Sequence, residues 1–300
     1  MKNFALIGVA GYIAPRHLQA IRDTKNTLVA ALDKSDTVGV MDSYFPDAHF
    51  FTEFERFDRY LDKLKRQGQA IDYVSICSPN YLHDSHIRFA FRHGANAICE
   101  KPLVLNPWNV DALMEIEKET GKKVNTILQL RLHPAIIELR NKVLNDPTGK
   151  VYDVDLTYIT SRGGWYQISW KGDNSKSGGI ATNIGIHFFD MLIWIFGTVK
   201  EVHVDALTGS SGSGFIELDR AKVKWRLSID YNDIPAVVRS SGRRTFRSLT
   251  IDGEAIEFSD GFTELHTESY RQILLGNSFG LADAKPSIEL ATQIRNYKSI

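Results

Sequence analysis

Three hundred residues, 43% of them hydrophobic, supply apolar material for one or two full-sized cores, and a chain of this length more often folds as two domains than one. Thirty-six basic residues balance thirty-six acidic ones, which excludes a global field that would draw the protein to nucleic acid or an anionic membrane. No apolar run approaches membrane-spanning length, the short apolar start belongs to a glycine turn and is no signal peptide, and Cys77 and Cys99 suit reduced thiols, so a cytoplasmic protein is expected.

The first element is the apolar run from Phe4, which ends at Gly8 and Gly11 just before a helix-compatible segment opening at Pro15. That order reads as strand, phosphate turn, helix: glycines let backbone N–H groups approach a pyrophosphate, and the helix N-terminus adds its positive end. A G-x-G-x-x-G register begun at Gly8 puts Ala10 and Ile13 where glycines belong, so Gly11 fits only if the turn holds one extra residue, with Tyr12 and Ile13 completing it. A second apolar run, Leu28 to Leu32, ends in Asp33, 22 positions past Gly11 and near the usual spacing of the acid that binds the adenosine ribose. A carboxylate there repels a 2′-phosphate, which favours NAD over NADP; Asp36 is a weaker candidate for the same role.

The alternation continues as expected of a doubly wound parallel sheet. Strands are expected at His49 to Thr52, Asp72 to Cys77, Ala97 to Cys99 and Val124 to Leu130, with helices over Phe54 to Leu64, Leu82 to His93 and Val110 to Glu119. The pattern breaks near Asp146 to Gly149. Beyond it, Val151 to Ile159, Glu201 to Asp205, Lys222 to Ile229 and Arg247 to Ile251 alternate polar and apolar residues, the mark of a sheet with one covered face. Gly209 to Gly214 reads as a flexible hairpin or loop, Arg243-Arg244 as a solvated turn, and Asn183 to Phe196 and Phe262 to Leu275 as helices. The fold class is therefore α/β: an N-terminal Rossmann doubly wound parallel sheet, assigned to 1–130, and a C-terminal α+β domain with an open, largely antiparallel sheet, assigned to 131–300. An open sheet needs cover on its second face, so a homo-oligomer is expected, a tetramer being favoured.

Three segments carry chemistry. Glu100-Lys101-Pro102 follows the fifth expected strand, placing Lys101 at the carboxyl edge of the parallel sheet, where its charge is suited to stabilise a forming alkoxide. Ser78, Pro79, Asn80 and His83 lie at the matching edge of the fourth strand and are expected to border the nicotinamide, although capping serves Asn80 equally well and a structural hydrogen bond suits His83 better. From Ser177 to Asp190 a glycine-rich entry leads into an apolar helix on which Asn183, His187 and Asp190 share a stripe; a histidine is the natural acid or base near neutral pH, and a nearby carboxylate can orient it. His, Asp and Cys residues do not cluster at ligand spacing, so no metal is expected.

Together the glycine turn, Cys77 to His83, Glu100-Lys101-Pro102 and Gly178 through His187 to Asp190 resemble the glucose-fructose oxidoreductase and inositol dehydrogenase family over essentially the whole chain. More narrowly, Gly8 to His17, Asp72 to His83, Leu156 to Gly163 and Ser169 to Asp173 resemble the UDP-N-acetylglucosaminuronate 3-dehydrogenases of bacterial surface-polysaccharide (O-antigen) synthesis. The resemblance implies NAD-dependent oxidation of the C3′ hydroxyl of UDP-N-acetylglucosaminuronic acid to a 3-keto sugar, which a partner aminotransferase converts to an amine, with NAD recycled in some members by a 2-oxoacid such as 2-oxoglutarate. It implies Lys101 and His187 as the catalytic pair, Gly8, Gly11, Tyr12, Ile13, Asp33, Asp36, Ser78, Pro79, Asn80, His83, Glu100 and Lys101 around the coenzyme, and Thr182 and Asn183 beside Lys101 and His187 at the sugar. Asn183 departs from the wider family, where aspartate is common, and shifts the proton chemistry toward Lys101 and His187. Arg131, Arg162 and Lys171 are expected to meet the uronate carboxylate and diphosphate, and Trp165, Tyr166 and Trp170 to floor the sugar or uracil. The alternatives are a dehydrogenase of a free sugar or inositol, and a non-catalytic NAD-binding regulator.

Overall fold

The first strand, β1 (Asn3–Ile7), buries four residues in a row from Phe4 to Ile7, because both of its faces are covered. In chain order there follow α1 (Ala14–Asp23), β2 (Thr27–Leu32), β3 (His49–Phe51), α2 (Phe54–Arg66), β4 (Tyr73–Ile76), α3 (His83–Arg92), β5 (Asn96–Cys99), α4 (Pro107–Thr120) and β6 (Val124–Thr126). This computed structural model describes residues 1–257 and 264–297. The six strands form one all-parallel sheet in the order β3-β2-β1-β4-β5-β6, so the strand order reverses between β1 and β4, where ligands of open α/β sheets bind at the carboxyl ends.

After α5 (Pro134–Leu144) come β7 (Tyr152–Thr160), α6 (Trp165–Ile168), α7 (Asn174–Ser177), α8 (Ile186–Phe196), β8 (Val199–Leu207), β9 (Ser211–Leu218), β10 (Ala221–Ser228), α9 (Ala236–Ser240), β11 (Thr245–Ile251) and β12 (Glu254–Ala255). Their sheet has the order β12-β11-β7-β10-β9-β8, antiparallel except between β7 and β10. Val154, Leu156, Trp225 and Leu227 bury the face that α8 covers, with Phe189 edge-on to Trp225 at 5.7 Å, while Asp153, Asp155, Lys222, Lys224 and Arg226 stand on the open face. The last elements are α10 (Leu265–Leu275) and α11 (Leu281–Arg295).

Two compact units result, and they are not contiguous in sequence. The first joins Met1–Val104 and Trp108–Gln129 to the described part of Thr263–Ala284; the second holds Leu105–Pro107 and the described residues of Leu130–Phe262 and Lys285–Ile300. The assignment of 131–300 to a single C-terminal domain therefore differs from the structure at α10, whose Tyr270 and Ile273 join Phe4, Leu6, Leu18 and Ile21 in the core of the first unit. The periodicity of α10 was legible; which sheet its apolar face meets was not. Of the expected helix Phe262 to Leu275, the first two residues lie outside the described residues.

Two further expectations change. Gly209 and Ser210 lie in the turn of the antiparallel β8–β9 hairpin, as expected, but Ser211–Gly214 is strand, part of β9: a Cβ on Gly214 would run into the His203 carbonyl oxygen and stand 3.0 Å from the Trp225 ring, so the glycines make room for a buried indole in a sheet. The stretch Asn174–Phe196 is long and apolar enough by length and composition to cross a membrane, but Gly178, at a φ of +78°, ends α7 inside it, and most of its apolar window is buried inside the protein. Its segment Ala181–Gly185 is π-helical.

Candidate active site

The phosphate turn is shaped by Gly8. Its φ of +91° lies where side chains are strained, and a Cβ there would come within 2.6 Å of the Cys77 carbonyl carbon, backbone that cannot yield. The turn closes with Gly11 N–H donating to the Gly8 carbonyl and Ala14 N–H to the Gly11 carbonyl, both at 3.0 Å, and leads into α1, which has no side-chain cap. Tyr12 is exposed and Ile13 half-buried. Asp33, at the end of β2, accepts from Ala10 N–H through Oδ2 at 2.9 Å and from Ser35 N–H through Oδ1 at 3.0 Å; Asp36 is exposed beyond it. A turn cornered by two glycines at a helix N-terminus, with a carboxylate held beside it, fits a dinucleotide whose ribose hydroxyls reach Asp33.

At the edges of β4 and β5, two expected coenzyme contacts prove to be internal fasteners. His83 is 1% exposed, with Nε2 2.8 Å from the Ser78 carbonyl oxygen and Nδ1 2.8 Å from that of Pro102, so it ties the two strand-end loops together and its ring nitrogens face no ligand. Glu100 is 7% exposed and turned inward. Its Oε1 lies 2.9 Å from both His17 Nε2 and His266 Nε2, and its Oε2 accepts the Lys101 N–H at 3.2 Å. Ser78 meets His86 Nδ1 at 2.8 Å, Asn80 is buried, and Lys101 stands half-buried at the loop edge, joined to Pro102 by a cis peptide bond.

The network around Glu100 continues: Tyr270 Oη lies 2.8 Å from His17 Nδ1 and 2.6 Å from Ser75 Oγ. Burial holds the His17 imidazole below its ordinary range, while the two imidazole hydrogen bonds keep the Glu100 carboxyl well below the usual carboxylate range against the opposing effect of burial. The pair is thus a carboxylate receiving N–H bonds from a neutral His17 and from His266. The spacing argument against clustered ligands is corrected here, since the fold brings the ligand atoms of His17, Glu100 and His266 within 4.8 Å of one another. The 2.9 Å nitrogen–oxygen separations are those of hydrogen bonds.

In the second unit two residues of the expected polar stripe have partners outside their own helix. Asn183 Nδ2 donates to Tyr166 Oη at 2.6 Å, and Asp190, expected beside His187, receives Arg131 Nε and Nη2 at 2.9 and 2.7 Å. Arg131, expected to meet substrate, is 6% exposed and held in that bidentate pair, which fastens the segment before α5 to α8. His187 is half-buried. Thr182 is buried against Gly178 with its hydroxyl unpaired among the described residues. Lys171 Nζ lies 5.3 and 4.8 Å from the Trp165 and Trp170 rings; burial, then the charge of the exposed Arg162, lowers its pKa. Arg162, Trp165, Trp170 and Lys171 thus form one cationic, aromatic surface, with Tyr166 buried behind it. Arg244 is more than a solvated turn residue, donating to Ser161 Oγ at 3.1 Å.

Sequence reasoning missed His17, Ser75, His86, His266 and Tyr270. A histidine on the apolar face of α1, between Ala14 and Leu18, was the one available signal.

The architecture and the turn are those of a nucleotide-dependent oxidoreductase. A model of the oxidoreductase family's NAD-binding Rossmann fold matches residues 2–127, and a model of its C-terminal α/β domain matches 140–215. The chain belongs to this family, that of glucose-fructose oxidoreductase and inositol dehydrogenase. Among solved structures it is similar to the WlbA (WbpB) dehydrogenase of Thermus thermophilus in complex with NAD and α-ketoglutarate, at 51% identity and a TM-score of 0.96, covering 99% of this chain and 96% of that one. The same dehydrogenase with NAD and UDP-GlcNAcA matches at 51% identity and a TM-score of 0.95, with the same coverage of both chains. Among curated proteins, the D-glucoside 3-dehydrogenase of Escherichia coli is 28% identical over 205 residues, 66% of this chain and 56% of that protein. The chain spans about half the length of the curated relatives it matches.

Proposed function

We propose that this protein oxidises the C3′ hydroxyl of UDP-N-acetylglucosaminuronic acid to the 3-keto sugar with NAD. The observation that carries this reading is the match, over nearly its full length, to a dehydrogenase solved with NAD and that nucleotide sugar. The Gly8 turn and Asp33 agree with it. When bound, NAD supplies the hydride acceptor. Lys101 holds the C3′ oxygen and favours its alkoxide form, while His187 takes the hydroxyl proton. The surface of Arg162, Lys171, Trp165 and Trp170 receives the charged part of the substrate.

The α-ketoglutarate complex of the Thermus protein supports recycling of the coenzyme by a 2-oxoacid in place. A 3-keto sugar is chemically the substrate of an aminotransferase, which supports a place in amino-sugar synthesis for a surface polysaccharide such as O-antigen. Back-to-back pairing of the open sheet faces in a homotetramer and a cytoplasmic setting belong to the same reading. A panel of UDP-GlcNAcA, UDP-GlcNAc, glucose and inositol, read by NADH absorbance with and without 2-oxoglutarate, tests it. UDP-GlcNAcA should give the highest kcat/KM; a preference for a free sugar would favour the other dehydrogenase reading, and binding without any turnover the regulator.

A further inference from the structure

We propose that Glu100 sets the balance between the oxidised and reduced coenzyme, as a fixed buried negative charge at the carboxyl end of β5 that favours the cationic nicotinamide ring. The inference rests on the coenzyme reading above and concerns a residue turned away from the ligand.

The geometry defines the charge. Three N–H groups converge on this carboxylate: His17 from α1 and His266 from α10 at 2.9 Å on Oε1, and the Lys101 backbone at 3.2 Å on Oε2. One oxygen facing two imidazole nitrogens cannot donate to both, and a carboxylate accepts from all three. Tyr270 and Ser75 fix the far side of His17, so the anion is rigidly placed within the first unit. These hydrogen bonds order the side chains around the Glu100 carboxylate.

A charge at 7% exposure acts through a medium that screens poorly. Its field reaches the edge where ligands of this sheet type collect: at Cys77, directly after β4, burial first and then the Glu100 charge push the thiol well above its ordinary range. The nicotinamide is the one part of the coenzyme whose charge changes in the reaction, from positive when oxidised to neutral when reduced. A buried anion at this edge therefore stabilises NAD⁺ relative to NADH, which makes bound NADH the stronger hydride donor. That bias suits a coenzyme reoxidised in place by a 2-oxoacid.

The test is the set of Kd values for NAD⁺, NADH and ADP-ribose by calorimetry. In Glu100→Gln the ratio Kd(NAD⁺)/Kd(NADH) should rise about tenfold while ADP-ribose stays within about twofold, as expected for loss of one buried charge acting on one ring. Glu100→Asp, which keeps the charge, should hold the ratio within about threefold of wild type. A purely structural role would weaken all three ligands alike and overturn the proposal. The wild-type protein gives a reading that needs no folded variant: over ADP-ribose, the oxidised ring should add more affinity than the reduced ring, and the reverse order would overturn the proposal too. Failure of all three to bind would overturn the coenzyme reading itself, and this inference with it.

Discussion

The backbone N–H of Ala10 donates to Asp33 Oδ2 at 2.9 Å, so the residue directly after β2 also holds the turn that follows β1. One carboxylate thereby serves both the shape of the phosphate turn and, in the proposed complex, the ribose. Asp33→Ser should weaken NAD binding by roughly tenfold to a hundredfold, each tenfold step being about 1.4 kcal/mol, and should relax discrimination against NADP. Titration with both coenzymes checks this, and an unchanged preference would remove Asp33 from the ribose site.

Gly8→Ala places a methyl group 2.6 Å from the Cys77 carbonyl carbon at a φ of +91°. The expected outcome is loss of NAD binding together with a lower Tm, because the strained turn and the displaced β4 end must both adjust. Gly11→Ala is milder at the same turn, its nearest neighbour being 3.0 Å away, and should cost less in both measurements.

Arg131 and Asp190 are both nearly buried, so removing one leaves the other uncompensated. Arg131→Met should destabilise the fold by about 3–5 kcal/mol, and the double variant Arg131→Met/Asp190→Leu by much less than the sum of the single changes. Urea unfolding measures both. Native stability combined with a raised KM for the nucleotide sugar would instead return Arg131 to the substrate.

How far the sequence reached depended on where each partner lies. Alternation in β7 and β10, the apolar β1 and the Gly8–Asp33 spacing are local signals, and the structure places each of them as a strand or strand end. The Glu100 network was illegible because residues 17, 100 and 266 come together only through the tertiary fold. The bidentate partner of Asp190 arrives from outside its helix, where helical spacing gives no signal, and the π-helical segment over Ala181–Gly185 upsets the 3.6-residue spacing used for Asn183. The glycines of β9 looked like a loop because the indole that needs their space lies on another strand.

Acid should weaken the fold well above the usual carboxylate range. Burial lowers His17 and His83, and lowers His86 to about 4, so below the ordinary imidazole value near 6.5 the unfolded chain binds protons that the native state refuses. Stability is therefore complete above about pH 6.5 and declines as pH falls toward 4, by about 3 kcal/mol from His86 alone. Glu100 adds to the loss at lower pH: its depressed native pKa contributes stability above the unfolded carboxyl value, and that contribution disappears as pH falls through the folded one. Urea midpoints at pH 7 and pH 5 should differ in this direction, and His86→Asn should flatten the slope.

The central claim is hydride loss from C3′ of the nucleotide sugar, and UDP-GlcNAcA deuterated at that carbon tests it directly. Incubated with the protein, NAD and 2-oxoglutarate, it should yield deuterium on the reduced nicotinamide and then at C2 of 2-hydroxyglutarate, with both transfers lost in Lys101→Met. Retention of the deuterium in the sugar while NADH or 2-hydroxyglutarate forms, or no oxidation of this sugar at all, would contradict the account.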